Sequence, residues 1–133
     1  YEEGTFTPAI TFGDGNTGLV HNVQVGRYTK VGNRVFATLY VHLSDKGSST
    51  GTAKVGGLPF SSSNIQNFYC TTAVWMNSIN FGNAVPTGYL PYNDTKFRLE
   101  RQQTSANAGV WGCDNSNFLD SSDVMLNISY QTG

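Results

Sequence analysis

Apolar and polar residues alternate along this chain in short runs, each closed by glycine, asparagine or proline. Arg34–Leu43 is the clearest run: Val35, Ala37, Leu39, Val41 and Leu43 fall on one face, and Phe36, Thr38, Tyr40 and His42 on the other. A period of two is the signature of a strand with one face in a core. The first set is predicted core. The second, with two aromatics and a histidine, is half-buried or packed against another subunit. The final run repeats the pattern, with Val124, Leu126, Ile128 and Tyr130 inward and Met125, Asn127, Ser129 and Gln131 outward. Thr95–Arg101 sets Phe97, Leu99 and Arg101 against Lys96, Arg98 and Glu100.

Weaker strand signals fill the rest. Phe6–Phe12 carries Pro8, which marks an edge or a strand start. Leu19–Val25 is broken at Gly26, and Arg27–Val31 leads through Gly32-Asn33 into Arg34, a hairpin signal because both turn residues tolerate positive φ. Thr52–Val55 and Phe68–Met76 complete the set, and Trp75, inside the latter, is assigned to the core. Gly57 permits a sharp reversal that sends Leu58 and Phe60 inward around Pro59. Ser44–Gly51, Ser61–Asn67, Asn77–Tyr92 and Thr104–Asn117 read as loops or irregular chain. About eight strands at this spacing, with no helix of three turns, predict an all-β fold: an antiparallel β-sandwich of jelly-roll type.

Composition sharpens that picture. Ser, Thr, Asn and Gly supply 54 of the 133 residues, and charged residues only 13%, against about 25% in an ordinary soluble domain. These are strand and turn formers rather than helix formers. The length suits one domain, 1–133. Eight basic against nine acidic residues, with no basic cluster, exclude the footprint of a nucleic-acid binder. No apolar run reaches the length of a membrane helix, so no membrane insertion is expected. Tyr1-Glu2-Glu3-Gly4 has neither Met nor a signal region and reads as a cut inside a longer protein.

Candidate chemistry is sparse. His21 and His42 have no second histidine or cysteine at ligand spacing, so no metal or cofactor is expected, and both read as surface or subunit-contact residues. Asp14-Gly15-Asn16 lacks the rest of a calcium loop. Glycan hydrolysis needs two carboxylates across a cleft, and the candidates are Asp94, Glu100, Asp114, Asp120 and Asp123. Glu100 lies on a charged strand face and reads as solvated, while Asp114, Asp120 and Asp123 sit among Asn and Ser, where Asp bonds its own backbone. With no serine elbow or Cys–His pattern, the chain is not expected to be an enzyme. Sugar binding is better supported, because flat aromatic faces stack on C–H groups while amides and carboxylates bridge hydroxyls. Two segments fit. One places Tyr89 and Tyr92 beside Asn93 and Asp94; the other places Trp111 beside Asp114 and Asn115. The competing reading has Trp111 plugging the end of the sandwich and the tyrosines packing between subunits.

Three segments in order carry a resemblance: Glu3-Gly4-Thr5-Phe6-Thr7-Pro8; Gly26-Arg27-Tyr28-Thr29-Lys30-Val31-Gly32-Asn33-Arg34-Val35; and Leu43-Ser44-Asp45-Lys46-Gly47-Ser48-Ser49-Thr50-Gly51, continuing to Gly57-Leu58-Pro59-Phe60. Together they resemble the C-terminal domain of tailed-bacteriophage tail fibres and tailspikes, with the match concentrated in about the first 60 residues. The resemblance implies a homotrimeric cap at the tip of a virion fibre, attached to a bacterial surface glycan such as lipopolysaccharide or capsule. Exposed Phe36 and Tyr40 would then be covered by subunit packing. In some such proteins the domain only holds three chains together, and no functional residue transfers by motif. Assembly in the host cytoplasm would leave Cys70 and Cys113 reduced, with Cys70 a small buried hydrophobe, and the sequons at Asn93 and Asn127 unmodified. Any depolymerase residues would lie upstream of Tyr1.

Overall fold

The computed structural model describes all residues, 1–133. The chain forms eleven strands: β1 (Glu2–Thr5), β2 (Ala9–Phe12), β3 (Leu19–Val31), β4 (Arg34–Lys46), β5 (Ala53–Gly56), β6 (Cys70–Thr71), β7 (Val74–Ile79), β8 (Ala84–Leu90), β9 (Phe97–Gln103), β10 (Val110–Gly112) and β11 (Phe118–Gln131), with one 3₁₀ turn at Asn115–Asn117. The first sheet runs β1-β3-β4-β11-β7 and the second β2-β5-β9-β8-β6, with β10 on the far half of β9. Every pairing is antiparallel. The two sheets enclose one core, so the sandwich expected from the alternation is the fold.

The core comes from the predicted faces. Val35, Ala37, Leu39, Val41 and Leu43 of β4 are buried, as are Val124, Leu126, Ile128 and Tyr130 of β11. The second sheet answers with Ile10, Phe12, Val55, Leu90, Phe97 and Leu99. Each large side chain so buried stabilises the fold by about 1.5–3 kcal/mol. The β3–β4 hairpin closes Val31 on Arg34 with Gly32 at φ +58°, as the Gly-Asn pair requires. Gly57 is also constrained. At φ +84°, a Cβ there would lie 2.3 Å from the Thr7 carbonyl oxygen. Leu58 is buried, and Phe60 is half-buried with Tyr28 edge-on at 5.3 Å.

Several boundaries differ from the sequence expectation. Gly26 does not break a strand; it lies inside the continuous β3, where a Cβ would meet the Phe6 carbonyl oxygen at 2.6 Å, so its role is close approach. The expected Phe68–Met76 strand is two strands. The chain passes at Thr72-Ala73 from the second sheet (β6) to the first (β7). Trp75 is not core but 47% exposed, because its register with Met125 turns it outward while Val74 and Met76 point in. The segment read as irregular holds β8. Its Pro86 is tolerated because β6 reaches only Tyr89 and Leu90, leaving β8 an edge at that point. The segment read as a loop around Trp111 contains β10.

Both cysteines are free; Cys113 is buried, while Cys70 is only half-buried. The buried Tyr130 hydroxyl donates to the Phe60 carbonyl oxygen at 2.8 Å. Burial raises this phenol from an ordinary value of 10.0 to about 12 and the Cys113 thiol from 9.0 to about 11. Between pH 10 and 12 the unfolded tyrosine therefore gives up its proton while the folded one keeps it. Its contribution is complete below pH 10 and is lost as pH rises through 12. Chemical denaturation of Tyr130→Phe should give a lower stability than wild type at neutral pH and a shallower fall across that alkaline window. An equally steep fall in the variant would assign the alkaline loss to other groups.

Candidate functional site

The residues Tyr89, Tyr92, Asn93 and Asp94 are brought together by the fold. Tyr89 on β8 stands directly opposite Arg98 on β9, and this pair lies on the solvent face of the second sheet, since the intervening Gly88, Phe97 and Leu99 are buried. Beyond β8 the chain turns through Pro91 and Tyr92, with Asn93 at φ +52°. Asp94 then fastens the turn: one carboxylate oxygen accepts from the backbone N–H groups of Thr95 at 2.7 Å and Lys96 at 3.0 Å. A second clamp comes from the buried Ser62 and Ser63. The Asn93 N–H donates to the Ser63 carbonyl at 3.1 Å, and the Ser62 N–H to that of Asp94 at 2.9 Å. The turn is thus held by buried structure rather than left free.

Two side chains complete this cleft that the sequence reading missed. Tyr69, just before β6, packs edge-on to Tyr89 at 5.6 Å and tilts against Tyr92 at 5.8 Å. The Arg98 guanidinium lies over Tyr89 at 5.6 Å. Together the three tyrosines, Asn93, Asp94 and Arg98 line a concavity of about 440 Å³. In the sequence Tyr69 falls inside the Phe68–Met76 run, and Arg98 is one of the polar positions of Thr95–Arg101. Their signal was long-range pairing: β6 and β9 flank β8, and nothing local announces that.

Trp111 stands apart. Its ring is 53% exposed on β10, paired with Arg101 of β9, whose guanidinium sits 5.0 Å from the ring centroid. It does not plug the sandwich. The partners expected for it are engaged elsewhere. Asp114 caps the 3₁₀ turn, accepting from the Ser116 N–H at 2.8 Å, and the Ser116 hydroxyl is the main influence holding its carboxyl below the usual range. The Asn115 side-chain oxygen accepts from the Gly51 N–H at 3.1 Å. Neither lines the concavity of about 370 Å³ beside Trp111, which is formed by Phe81, Asn83, Arg101, Gln103 and Thr104 among others.

The remaining titratable groups are mostly structural. Asp123 is not a turn residue bonding its own backbone. It lies in β11, is only 7% exposed, and its carboxylate bonds the His42 ring on one oxygen and the Asn77 amide at 3.3 Å on the other. His21 is not simply a surface group, since its Nε2 accepts from the Ile10 N–H at 3.0 Å and burial lowers its pKa. Glu100 is half-buried rather than solvated, and desolvation raises its carboxyl. Asp120 accepts from the Lys46 N–H at 3.1 Å, and Asp14 pairs with Lys96 at 3.0 Å and Lys54 at 3.3 Å. None of the four surface concavities is lined by two carboxylates.

No protein-family description matches the chain, and no curated protein matches it. In three dimensions it is similar to part of the crystal structure of the Dettilon tailspike protein (gp208), with a TM-score of 0.75 and 18% sequence identity. The likeness covers 98% of this chain and 23% of that one. At this identity it shows a shared fold: the antiparallel sandwich described above also occurs within a phage tailspike.

Proposed function

We propose that this chain is the tip domain of a phage tail fibre or tailspike, a homotrimer that binds bacterial surface polysaccharide, lipopolysaccharide or capsule, during attachment. The observation that carries the reading is the tyrosine cleft. Three aromatic rings at differing tilts, with an amide, a carboxylate and a guanidinium on the same wall, offer stacking surface and directional hydrogen bonds in one concavity. Its placement on a shared tailspike fold, and the three sequence segments that resemble tail-fibre C-terminal domains, support the same reading. The free cysteines are compatible with assembly in the reducing bacterial cytoplasm and incorporation into a virion.

The second reading, a structural cap that only trimerises, has its own observation. On the solvent face of the first sheet, Val25, Tyr40, Met125 and Trp75 stand in register across four neighbouring strands. Val25, Met125 and Trp75 are exposed in the single chain, and such a stripe is the kind of surface a subunit covers. Because the stripe is on one sheet and the tyrosine cleft on the other, trimerisation and binding are compatible.

Titration of the domain with purified surface polysaccharide separates the two. Saturable binding without release of reducing ends is expected. Tyr92→Ala should weaken it by about 1–3 kcal/mol at nearly unchanged melting temperature, the loss typical of an aromatic hot spot. An affinity unaltered by Tyr92→Ala would remove the cleft from the account. No binding at all would favour the cap, and reducing-end release would favour an enzyme.

A further inference from the structure

The inner face of the second sheet runs on past the end of the core. Phe97 and Leu99 of β9 are fully buried, and two residues further along the same face Arg101 emerges beside Trp111. Phe81, half-buried against the core, closes the inner side of the resulting concavity. The neutral groups Asn83, Gln103 and Thr104 are also on its wall, and no carboxylate lines it.

Arg101 is the unusual member. One guanidinium nitrogen donates to the Phe81 carbonyl oxygen at 3.5 Å, but Nε is buried and bonded to nothing. No acid lies within ion-pair distance of it; the chain's pairs are those of His42, Lys54 and Lys96. Asp114 feels its charge, yet that carboxylate is tied to Ser116. Its guanidinium carbon lies over the Trp111 ring, 5.0 Å from the centroid, a cation–π contact. A guanidinium with unused donors beside an exposed indole matches a ligand that carries an anion next to an apolar ring face. The tyrosine cleft differs, because there Arg98 shares the wall with Asp94.

We infer that the Arg101–Trp111 concavity is a subsite for an acidic sugar residue, its anionic group on the guanidinium and its ring on the indole. This rests on the glycan-binding reading and assigns selectivity to a place other than the tyrosine cleft. A uronic or related sugar carboxylate and a phosphodiester present the same pair of charged oxygens.

The test is an array of purified bacterial polysaccharides in three sets, carboxylate-bearing, phosphodiester-bearing and neutral, probed with wild type, Arg101→Gln and Arg101→Lys of matched melting temperature. Wild type should retain one or both acidic sets over the neutral set, and the set retained identifies the anion. Arg101→Gln should lose about tenfold to a hundredfold on that set, as expected for one charge-assisted contact, while Arg101→Lys recovers part of it. In a Trp75→Phe background, emission from Trp111 should change as the acidic oligosaccharide saturates. Equal binding of acidic and neutral glycans, or acidic binding indifferent to Arg101→Gln, would overturn the subsite and leave glycan binding standing. Binding to none of the three sets would overturn both.

Discussion

Phe97→Ala is expected to destabilise the domain by about 3–5 kcal/mol, the cost of losing a buried aromatic and leaving a cavity behind. Phe97 is wholly inaccessible on β9, in register with Val55 of β5 on one side and two residues from the Gly88–Leu99 pair with β8 on the other. Its ring lies against the bare Cα of Gly88: a Cβ there would come within 2.4 Å of the ring and 2.3 Å of the Arg98 carbonyl oxygen. That loss is a large fraction of the roughly 5–15 kcal/mol that holds a typical domain together. It also reaches the site, because Gly88 precedes Tyr89 and Phe97 precedes Arg98, the pair at the centre of the tyrosine cleft. Urea denaturation should show a midpoint well below wild type with little change in slope. A shift of only a few tenths of a kcal/mol would mean that the sheet closes over the gap.

Met125→Glu is expected to convert the proposed trimer into a monomer of 14.4 kDa. Met125 is 40% exposed and sits in register between Tyr40 and Trp75 in the apolar row across the first sheet. A carboxylate there leaves the core untouched, since the side chain points away from it. In a trimer it would be desolvated against neighbouring chains with no cation in its own row, a penalty of several kcal/mol repeated at each subunit. Light scattering should report three times the chain mass for wild type and one for the variant, with unchanged circular dichroism. A trimeric variant would move the interface off this row, and a monomeric wild type would remove the trimer from the proposal.

The parts of the fold that were legible in the sequence are those set by short-range pattern. The alternation of β4 and β11 named their buried residues, and Gly32-Asn33 fixed the hairpin register. Trp75, Gly26 and β8 depart from the sequence expectation for a common reason. Whether a strand residue faces in or out, and whether a glycine or proline interrupts a strand, depends on what lies beside it, and that is set by chain distant in sequence: Met125 opposite Trp75, Phe6 against Gly26, and a β6 that stops at Tyr89 and leaves Pro86 at an edge. The site divides the same way. Tyr89, Tyr92, Asn93 and Asp94 form one local segment and were found together, whereas Tyr69 and Arg98 join them only through β6 and β9. Asp114 and Asn115 were placed beside Trp111 by proximity in sequence, but the capped 3₁₀ turn uses their side chains for the backbone instead.

Whether the tyrosine cleft holds a surface glycan is decided by soaking crystals of the domain with an oligosaccharide cut from a polysaccharide that it binds. A sugar ring is expected to stack on at least one of Tyr69, Tyr89 and Tyr92, with hydroxyls within hydrogen-bond distance of Asn93, Asp94 or Arg98. Sugar density confined to another surface, with the three tyrosines bare, would contradict it.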